Sequence, residues 1–266
     1  MRLDVLLVQK GLIPTREKAR AYIMAGEIWV NGQRAEKAGS QVEINAELEH
    51  RSTRMDYVGR GGYKLEGAAQ AFDLNFFDRV VLDVGASTGG YTDYALQHGA
   101  KKVYAVDVGY GQLDWSLRNR PEVVVRERVN ARYLTPDMFD EAIDIVVMDV
   151  SFISVTLIFP ALIPLLTPEG EIVTLIKPQF ESSKDKVGKK GIVRDPAVHQ
   201  AVLERCIGAA KDGGLFPSGC CYSPIKGTKG NIEFFLHLTR SCDSGHKDLQ
   251  QDLCAIIREA HQKLED

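Results

Sequence analysis

Cysteine is scarce and poorly placed for chemistry. The five thiols (Cys206, Cys220, Cys221, Cys242 and Cys254) form no C-x-x-C pair and are odd in number. That excludes a zinc ribbon or a disulfide framework as the organising device, and no metal site is expected. Long apolar runs are missing too. The longest, Ile153 to Leu166, is interrupted by Pro160 and Pro164 and falls short of the about 20 residues that span a bilayer. The start, Met1-Arg2-Leu3-Asp4, carries an acid early and lacks the apolar core of a signal peptide. A reduced, cytoplasmic protein with no membrane partner is expected.

No single sign of charge dominates. The net charge is −3 over 266 residues, with 44% hydrophobic and 26% charged residues, a composition suited to one large domain plus a small one. The distribution says more than the total. Residues 1–37 hold seven Lys/Arg against four Asp/Glu, whereas 241–266 hold three against six. The basic end is the place to look for a nucleic acid partner.

Two nucleotide signatures are also lacking. In Leu82-Asp83-Val84-Gly85-Ala86-Ser87-Thr88-Gly89-Gly90-Tyr91 the glycines do not follow G-x-G-x-x-G, and no lysine supplies a P-loop. What is present is an apolar strand ending in Asp83, a small-residue turn, and a helix opening at Tyr91. Such a turn lets a ligand approach the backbone, and the free amides of the helix start suit a polar group. The next strand, Val103 to Val106, ends in Asp107, where a carboxylate can bind two ribose hydroxyls.

Residues 1–58 read as a small module and its linker. Leu3, Leu6 and Leu7 have helical spacing. A second helix is capped by Thr15 and stopped by Gly26, burying Ala19, Tyr22 and Ile23 and displaying Arg16 and Arg20 on another face. Ile28-Trp29-Val30 and Gln33-Arg34 flank Asn31-Gly32 as a hairpin, and residues 45–58 read as linker. This pattern, with Arg-Leu-Asp at the start and Val-Asn-Gly in the turn, resembles the S4 RNA-binding domain. The resemblance implies that Arg2, Arg16, Lys18 and Arg20 meet RNA backbone.

Residues 59–266 read as an α/β domain. A glycine bend leads into a helix near Tyr63, with Lys64 in its first turn. Strands at 79–84, 102–108, 122–128, 143–150, 171–177, 216–223 and 232–239 alternate with helices near 113–118, 155–165 and 196–211. A terminal helix is expected over 243–264. Apolar runs such as Ile145-Val146-Val147-Met148 suit strands covered on both faces, so a doubly wound Rossmann-like sheet with ligands at strand C-terminal ends is expected. Asp149 and Lys177 sit at two such ends, and Glu233 falls within an otherwise apolar strand. Buried charges are costly unless paired, so a mutual network is expected.

The motifs Asp83-Val-Gly-Ala-Ser-Thr-Gly-Gly, Asp149-Val-Ser-Phe-Ile-Ser, Lys177-Pro-Gln-Phe-Glu and Gly230-Asn-Ile-Glu233 together resemble the TlyA (hemolysin A) family. The resemblance implies an S4 domain before an FtsJ-like catalytic domain that methylates ribose 2′-hydroxyls of ribosomal RNA, with S-adenosyl-L-methionine as cofactor. It implies a catalytic set of Lys64, Asp149, Lys177 and Glu233. The cofactor site would use Asp83, Gly85, Ser87, Gly89, Gly90, Asp107 and, for adenine, Asn130. Ribosomal RNA or ribosomal subunits would be the partner; no oligomeric state is implied. The family's targets are cytidines in 16S and 23S RNA, and the short N-terminus looks like the subgroup that modifies 23S alone.

Chemistry alone suits the same residues. A lysine accepts a proton only when neutral, which desolvation or a second cation favours; Lys177 is the expected base and Lys64 the second cation. The stretch Lys184 to Arg194, including Lys186, Lys189 and Lys190, is expected to hold RNA phosphates. Two competing readings are a non-catalytic RNA-binding protein, which should have lost members of the catalytic set, and a membrane-lytic protein, which needs a cationic amphipathic helix. The acidic C-terminal end speaks against the latter.

Overall fold

The computed structural model describes residues 1–13, 15–50, 56–188, 190–241 and 249–264. The chain divides into two compact units, Met1–Asp56 and Tyr57–Asp266.

In the first unit the heptad-like leucines form α1 (Leu3–Gln9) and the capped segment forms α2 (Arg16–Ala25). Thr15 accepts a hydrogen bond from the Lys18 amide at 3.2 Å, and Gly26 closes the helix in the left-handed region. Leu3, Leu7, Ile13, Ala19, Ile23 and Ile28 make the core, each large aliphatic side chain contributing about 1.5–3 kcal/mol on full burial. Strands β1 (Ile28–Val30) and β2 (Gln33–Arg34) pair across Asn31 and Gly32, both at positive φ, as the primed hairpin turns require. The segment read as linker contains a third strand, β3 (Leu48–His50), which pairs antiparallel with β1. Three residues are too few for their alternation to stand out in sequence.

The second unit is built on a seven-stranded sheet. Val80, Leu82 and Val84 face one hydrophobic cluster and Val81 the other, so both faces are covered. The strands are β4 (Val80–Val84), β5 (Lys102–Asp107), β6 (Val123–Glu127), β7 (Ile143–Met148), β8 (Leu166–Ile176), β9 (Phe216–Tyr222) and β10 (Phe234–Thr239). Their order is β6-β5-β4-β7-β8-β10-β9. All neighbours are parallel except β10, which is antiparallel to both β8 and β9. The chain winds outward from β4 through β5 and β6, then restarts at β7 on the other side. That reversal places a crevice at the C-terminal ends of β4 and β7.

Helices α3 (Gly61–Phe72), α4 (Gly90–Gln97) and the short α5 (Trp115–Arg118) follow in chain order, then α6 (Phe159–Leu162), α7 (Pro178–Glu181), α8 (Pro196–Asp212) and α9 (Leu249–Leu264). Helix α8 starts as its caps predict, with Asp195 accepting from the Ala197 amide at 2.9 Å and Pro196 at the first position. The single helix expected over 155–165 is instead α6 between two 3₁₀ turns, Val155–Leu157 and Ile163–Leu165. Pro160 and Pro164 remove the amides that a continuous helix would need. The terminal helix is described from Leu249; residues 242–248, with Cys242, lie outside the described residues. Tyr57 and Val58 pack with the second unit: Tyr57 lies edge-on to Tyr63, and the Val58 amide donates to Asp93 Oδ2 at 2.8 Å.

Candidate active site

Four charged side chains converge at one edge of the sheet. Asp149 follows β7 and Lys177 follows β8, so parallel pairing brings their ends together. Glu233 immediately precedes β10 rather than lying inside it. Because β10 runs antiparallel and pairs Phe234 with Ile176, its start meets the end of β8, and Glu233 arrives beside Lys177. Lys64 comes from α3, where Leu65, Ala68 and Ala69 are buried against the domain. That helix starts at Gly61, two residues earlier than expected, so Lys64 stands a full turn in, away from the unpaired amides that would repel it.

The charges alternate along a chain. Glu233 Oε2 accepts from Lys64 Nζ at 2.6 Å, Lys64 Nζ lies 3.8 Å from Asp149 Oδ2, and Asp149 Oδ1 lies 2.5 Å from Lys177 Nζ. The last contact is close but not aligned as a hydrogen bond. Lys177 instead donates to Ser151 Oγ at 2.9 Å, and Gln179 Nε2 approaches Glu233 Oε1 at 3.4 Å. Glu233 is 2% exposed and each lysine 9%. Burial at this depth is tolerable because every charge has an opposite neighbour.

Two cavities meet at this chain. One, of about 300 Å³, is lined by Lys64, Lys177, Gln179, Phe180, Lys229 and Glu233, among others. The other, of about 490 Å³, lies over the C-terminal ends of β4, β5 and β7, with Gly85, Ser87, Asp107, Gln112, Asn130 and Ile158 in its wall. Ser151 and Phe152 line both cavities. Phe152 stands at φ +66° and is 87% exposed, 4.8 Å from the Phe180 ring. A non-glycine residue in that region is uncommon and is held there by its surroundings.

The glycine turn is less uniform than its sequence suggests. Gly85 (φ +85°) is required: a Cβ there would stand 2.5 Å from the Asp149 carbonyl oxygen. Gly85 and Ser87 line the larger cavity, whereas Asp83, Gly89 and Gly90 stand behind that lining. Asp83 Oδ2 accepts from the Thr92 hydroxyl at 2.7 Å and the Thr92 amide at 3.0 Å, tying β4 to α4. Burial pushes its carboxyl up to about 7. Gly89 faces Leu113 and Leu117, and Gly90 lies against the backbone of residues 59–62; both let helices pack closely. Asp107 does line the cavity. Its carboxylate accepts from the Ser87 amide at 2.8 Å and the Gly109 amide at 2.7 Å. Asn130, also in the wall, caps the 3₁₀ turn Ala131–Tyr133 through the Arg132 amide at 3.1 Å.

Glu181 ends the motif Lys177-Pro-Gln-Phe-Glu. It is 7% exposed and binds three partners: Ser154 Oγ at 2.7 Å, the Val155 amide at 2.8 Å and Arg205 Nη2 at 2.6 Å. It therefore ties the loop carrying Ser151 and Phe152 to the segment carrying Lys177 and Phe180. No local signal marks it in the sequence, because its partners lie 24 to 27 positions away along the chain.

Among the basic residues expected to meet RNA, Arg2, Arg16 and Arg20 share one partner, Asp4, at 3.0, 3.1 and 3.2 Å. Lys18 is exposed on α2, and Lys186 and Lys190 are exposed in the second unit. Lys189 lies outside the described residues.

Sequence families agree with this architecture. The FtsJ-like methyltransferase model matches residues 57–240 and the S4 domain model residues 1–48. The Bacillus subtilis (strain 168) protein YqxC is 47% identical over 100% of this chain and 95% of its own. The 16S/23S rRNA (cytidine-2′-O)-methyltransferase TlyA of Mycobacterium tuberculosis is 42% identical over 91% of each chain. A solved structure from Streptococcus thermophilus is 42% identical with a TM-score of 0.77, covering 100% of this chain and 97% of that one. No helix among the described residues is long and apolar enough to cross a membrane. With an S4 domain ahead of an FtsJ-like domain, and such identity along nearly its whole length, the chain belongs to the TlyA (hemolysin A) family of methyltransferases.

Proposed function

We propose that the protein transfers a methyl group from S-adenosyl-L-methionine to the ribose 2′-hydroxyl of a cytidine in ribosomal RNA, acting in the cytoplasm on a ribosomal subunit. The observation that carries this reading is the Glu233–Lys64–Asp149–Lys177 chain standing where two cavities join.

The larger cavity fits the cofactor. Its volume of about 490 Å³ falls in the range of roughly 300–1,000 Å³ usual for small-molecule sites. Val108, Val150, Ile153 and Ile158 give it apolar walls. The Asp107 carboxylate, with two backbone amides already bound, keeps acceptor capacity for a pair of ribose hydroxyls. When bound, the cofactor supplies an electrophilic methyl group on a sulfonium.

The smaller cavity takes the acceptor ribose. Asp149 and Ser151 occupy two directions around Lys177 Nζ, so its remaining direction is left for the 2′-hydroxyl and its proton. Lys64 Nζ, anchored by Glu233, places a second positive charge where negative charge develops on the 2′-oxygen; preset charges of this kind are effective in a water-poor site. Asp149 holds both lysines in register. The displacement is in line, so orienting hydroxyl and methyl supplies much of the acceleration.

The test incubates purified protein with labelled cofactor and 50S or 30S subunits from a strain lacking the enzyme. Label should map to a ribose of a cytidine and vanish in Lys177→Ala while cofactor binding persists. Cofactor binding without label in either subunit would sink the substrate assignment. Absence of cofactor binding would sink the reaction itself.

A further inference from the structure

The N-terminal unit carries an acid that breaks the usual rules of burial. Asp4 sits in the first turn of α1 between Leu3 and the core residue Leu7, and no part of it reaches solvent. A carboxylate cannot stay there without partners, and it has three. Asp4 Oδ1 accepts from Arg2 Nε at 3.0 Å, and Oδ2 from Arg2 Nη2 at 3.1 Å, Arg16 Nη2 at 3.1 Å and Arg20 Nε at 3.2 Å. The arginines hold its carboxyl well below the usual carboxylate range.

The arginines themselves are not buried. Their side chains remain 43%, 52% and 55% exposed. Arg16 and Arg20 stand one turn apart on α2, while Arg2 reaches the same carboxylate from the start of α1. One acid and three guanidinium groups leave the cluster two positive charges in excess. Each guanidinium has five N–H donors in a planar fork. Arg2 spends two on Asp4, and Arg16 and Arg20 one each, so most donors are left for an outside ligand. Arg16 and Arg20 also line a shallow open cavity with Glu17, Ala21 and Met24.

We propose that Asp4 is a positioning residue that fixes Arg2, Arg16 and Arg20 as one preset cradle for successive phosphates of RNA. The proposal rests on the reading of this unit as an RNA-binding S4 domain, and goes beyond it in giving an acid the organising role. A free arginine loses rotamer freedom when it grips a phosphate, whereas an arginine already pinned loses less. Three repelling cations are held together by the carboxylate beneath them, and that spacing is what the RNA backbone meets.

The consequence runs against charge counting. Asp4→Asn raises the positive charge of the cluster by one, so bulk electrostatics predicts tighter RNA binding. Positioning predicts weaker binding, because an asparagine amide presents N–H groups to one guanidinium or another and releases it. The experiment uses the full chain and ribosomal RNA at several salt concentrations, with kcat, KM and cofactor Kd measured alongside. Asp4→Asn should weaken RNA binding about tenfold and lower the salt slope by about 1–2, near the value for one or two phosphate contacts. KM for RNA should rise in step, with kcat at saturation and cofactor Kd unchanged.

Equal or tighter RNA binding with an undiminished slope would overturn the proposal. Should Asp4→Asn unfold the unit, seen as loss of circular dichroism, Asp4→Glu serves instead. It keeps the charge but displaces it by one methylene, and a folded Asp4→Glu with native affinity would equally overturn it. Replacing Arg2, Arg16 and Arg20 together by Gln separates the two levels. If that variant binds RNA like the parent, the RNA-binding reading of this face falls as well; if it binds weakly while Asp4→Asn does not, only the role of Asp4 falls.

Discussion

The two units solve the problem of burying charge in opposite ways. In the N-terminal unit one hidden acid serves three half-exposed arginines, and the cluster is left strongly positive. In the methyltransferase unit two acids and two lysines alternate, all largely removed from water, and the sum is zero. The difference follows depth. An excess of charge is tolerable at a surface, where water and a polyanionic ligand answer it. In the interior each extra charge costs several kcal/mol, so a buried set must balance. A binding surface can hold surplus charge; a catalytic interior needs compensated charge whose members are individually positioned.

The largest expected effect lies in the balanced set. Lys177→Ala should lower kcat by about 10²–10⁴, the range for loss of a general base, with cofactor Kd unchanged by titration calorimetry. Retained turnover would remove Lys177 from the proton transfer.

Balance itself is tested by removing Lys64 with and without its partner. Lys64→Met leaves Glu233 buried and uncompensated, which should cost about 3 kcal/mol in urea unfolding. Adding Glu233→Leu should recover most of that stability, because a buried pair replaced by apolar residues is near neutral. Activity should stay lost in both. A double variant as unstable as the single one would show that neutrality is not what the interior demands.

A smaller effect is expected from Glu181, whose partners hold two loops rather than touch the reaction. Glu181→Ala leaves the buried Val155 amide without its acceptor, while Arg205 keeps its bond to the residue 181 carbonyl, costing about 1–3 kcal/mol. It should reduce kcat about tenfold, since small misplacements of reacting groups are expensive. Unchanged kcat would make the tie purely structural.

The smallest effect concerns pH, and here the units should differ in sign. Asp83 is raised to about 7, so between its ordinary value near 4 and about 7 the folded state binds more protons than the unfolded one. Stability of the second unit should therefore fall as pH rises through that window, and Asp83→Asn, which can keep both Thr92 hydrogen bonds, should flatten the slope. Asp4 is lowered, so its contribution is present above the ordinary carboxylate range and is lost as pH falls below it. Unfolding followed from pH 3 to 8 by unit-specific tryptophan fluorescence, from Trp29 and Trp115, would separate the two. Parallel slopes would contradict the assignment.

Much of the architecture was legible in the chain. Alternating strand and helix signals, the Thr15 and Asp195 caps and the Asn31-Gly32 turn act over a few residues, and their chemistry works in place. The four motifs fixed the family, because long identical patterns in one order are not produced by packing alone. Failures came where local signal was weak or overridden: a three-residue strand at Leu48, prolines that broke an apolar helix, and Glu233 assigned to the strand it precedes. The glycine turn shows how surroundings divide residues of one type. Gly85 and Gly89 look alike in sequence, yet one faces the cavity and the other faces Leu113 and Leu117.

The sequence by itself determined the elements, the domain types and the residue types available for chemistry, since these depend on periodicity, caps and short motifs. Only the tertiary structure decided which charge meets which. The antiparallel return of β10 brings Glu233 to Lys64 across 169 positions of chain, and α1 and α2 close three arginines over Asp4. Ion pairing depends on distances between segments far apart in the chain, and those distances exist only once the sheet and the helices have packed.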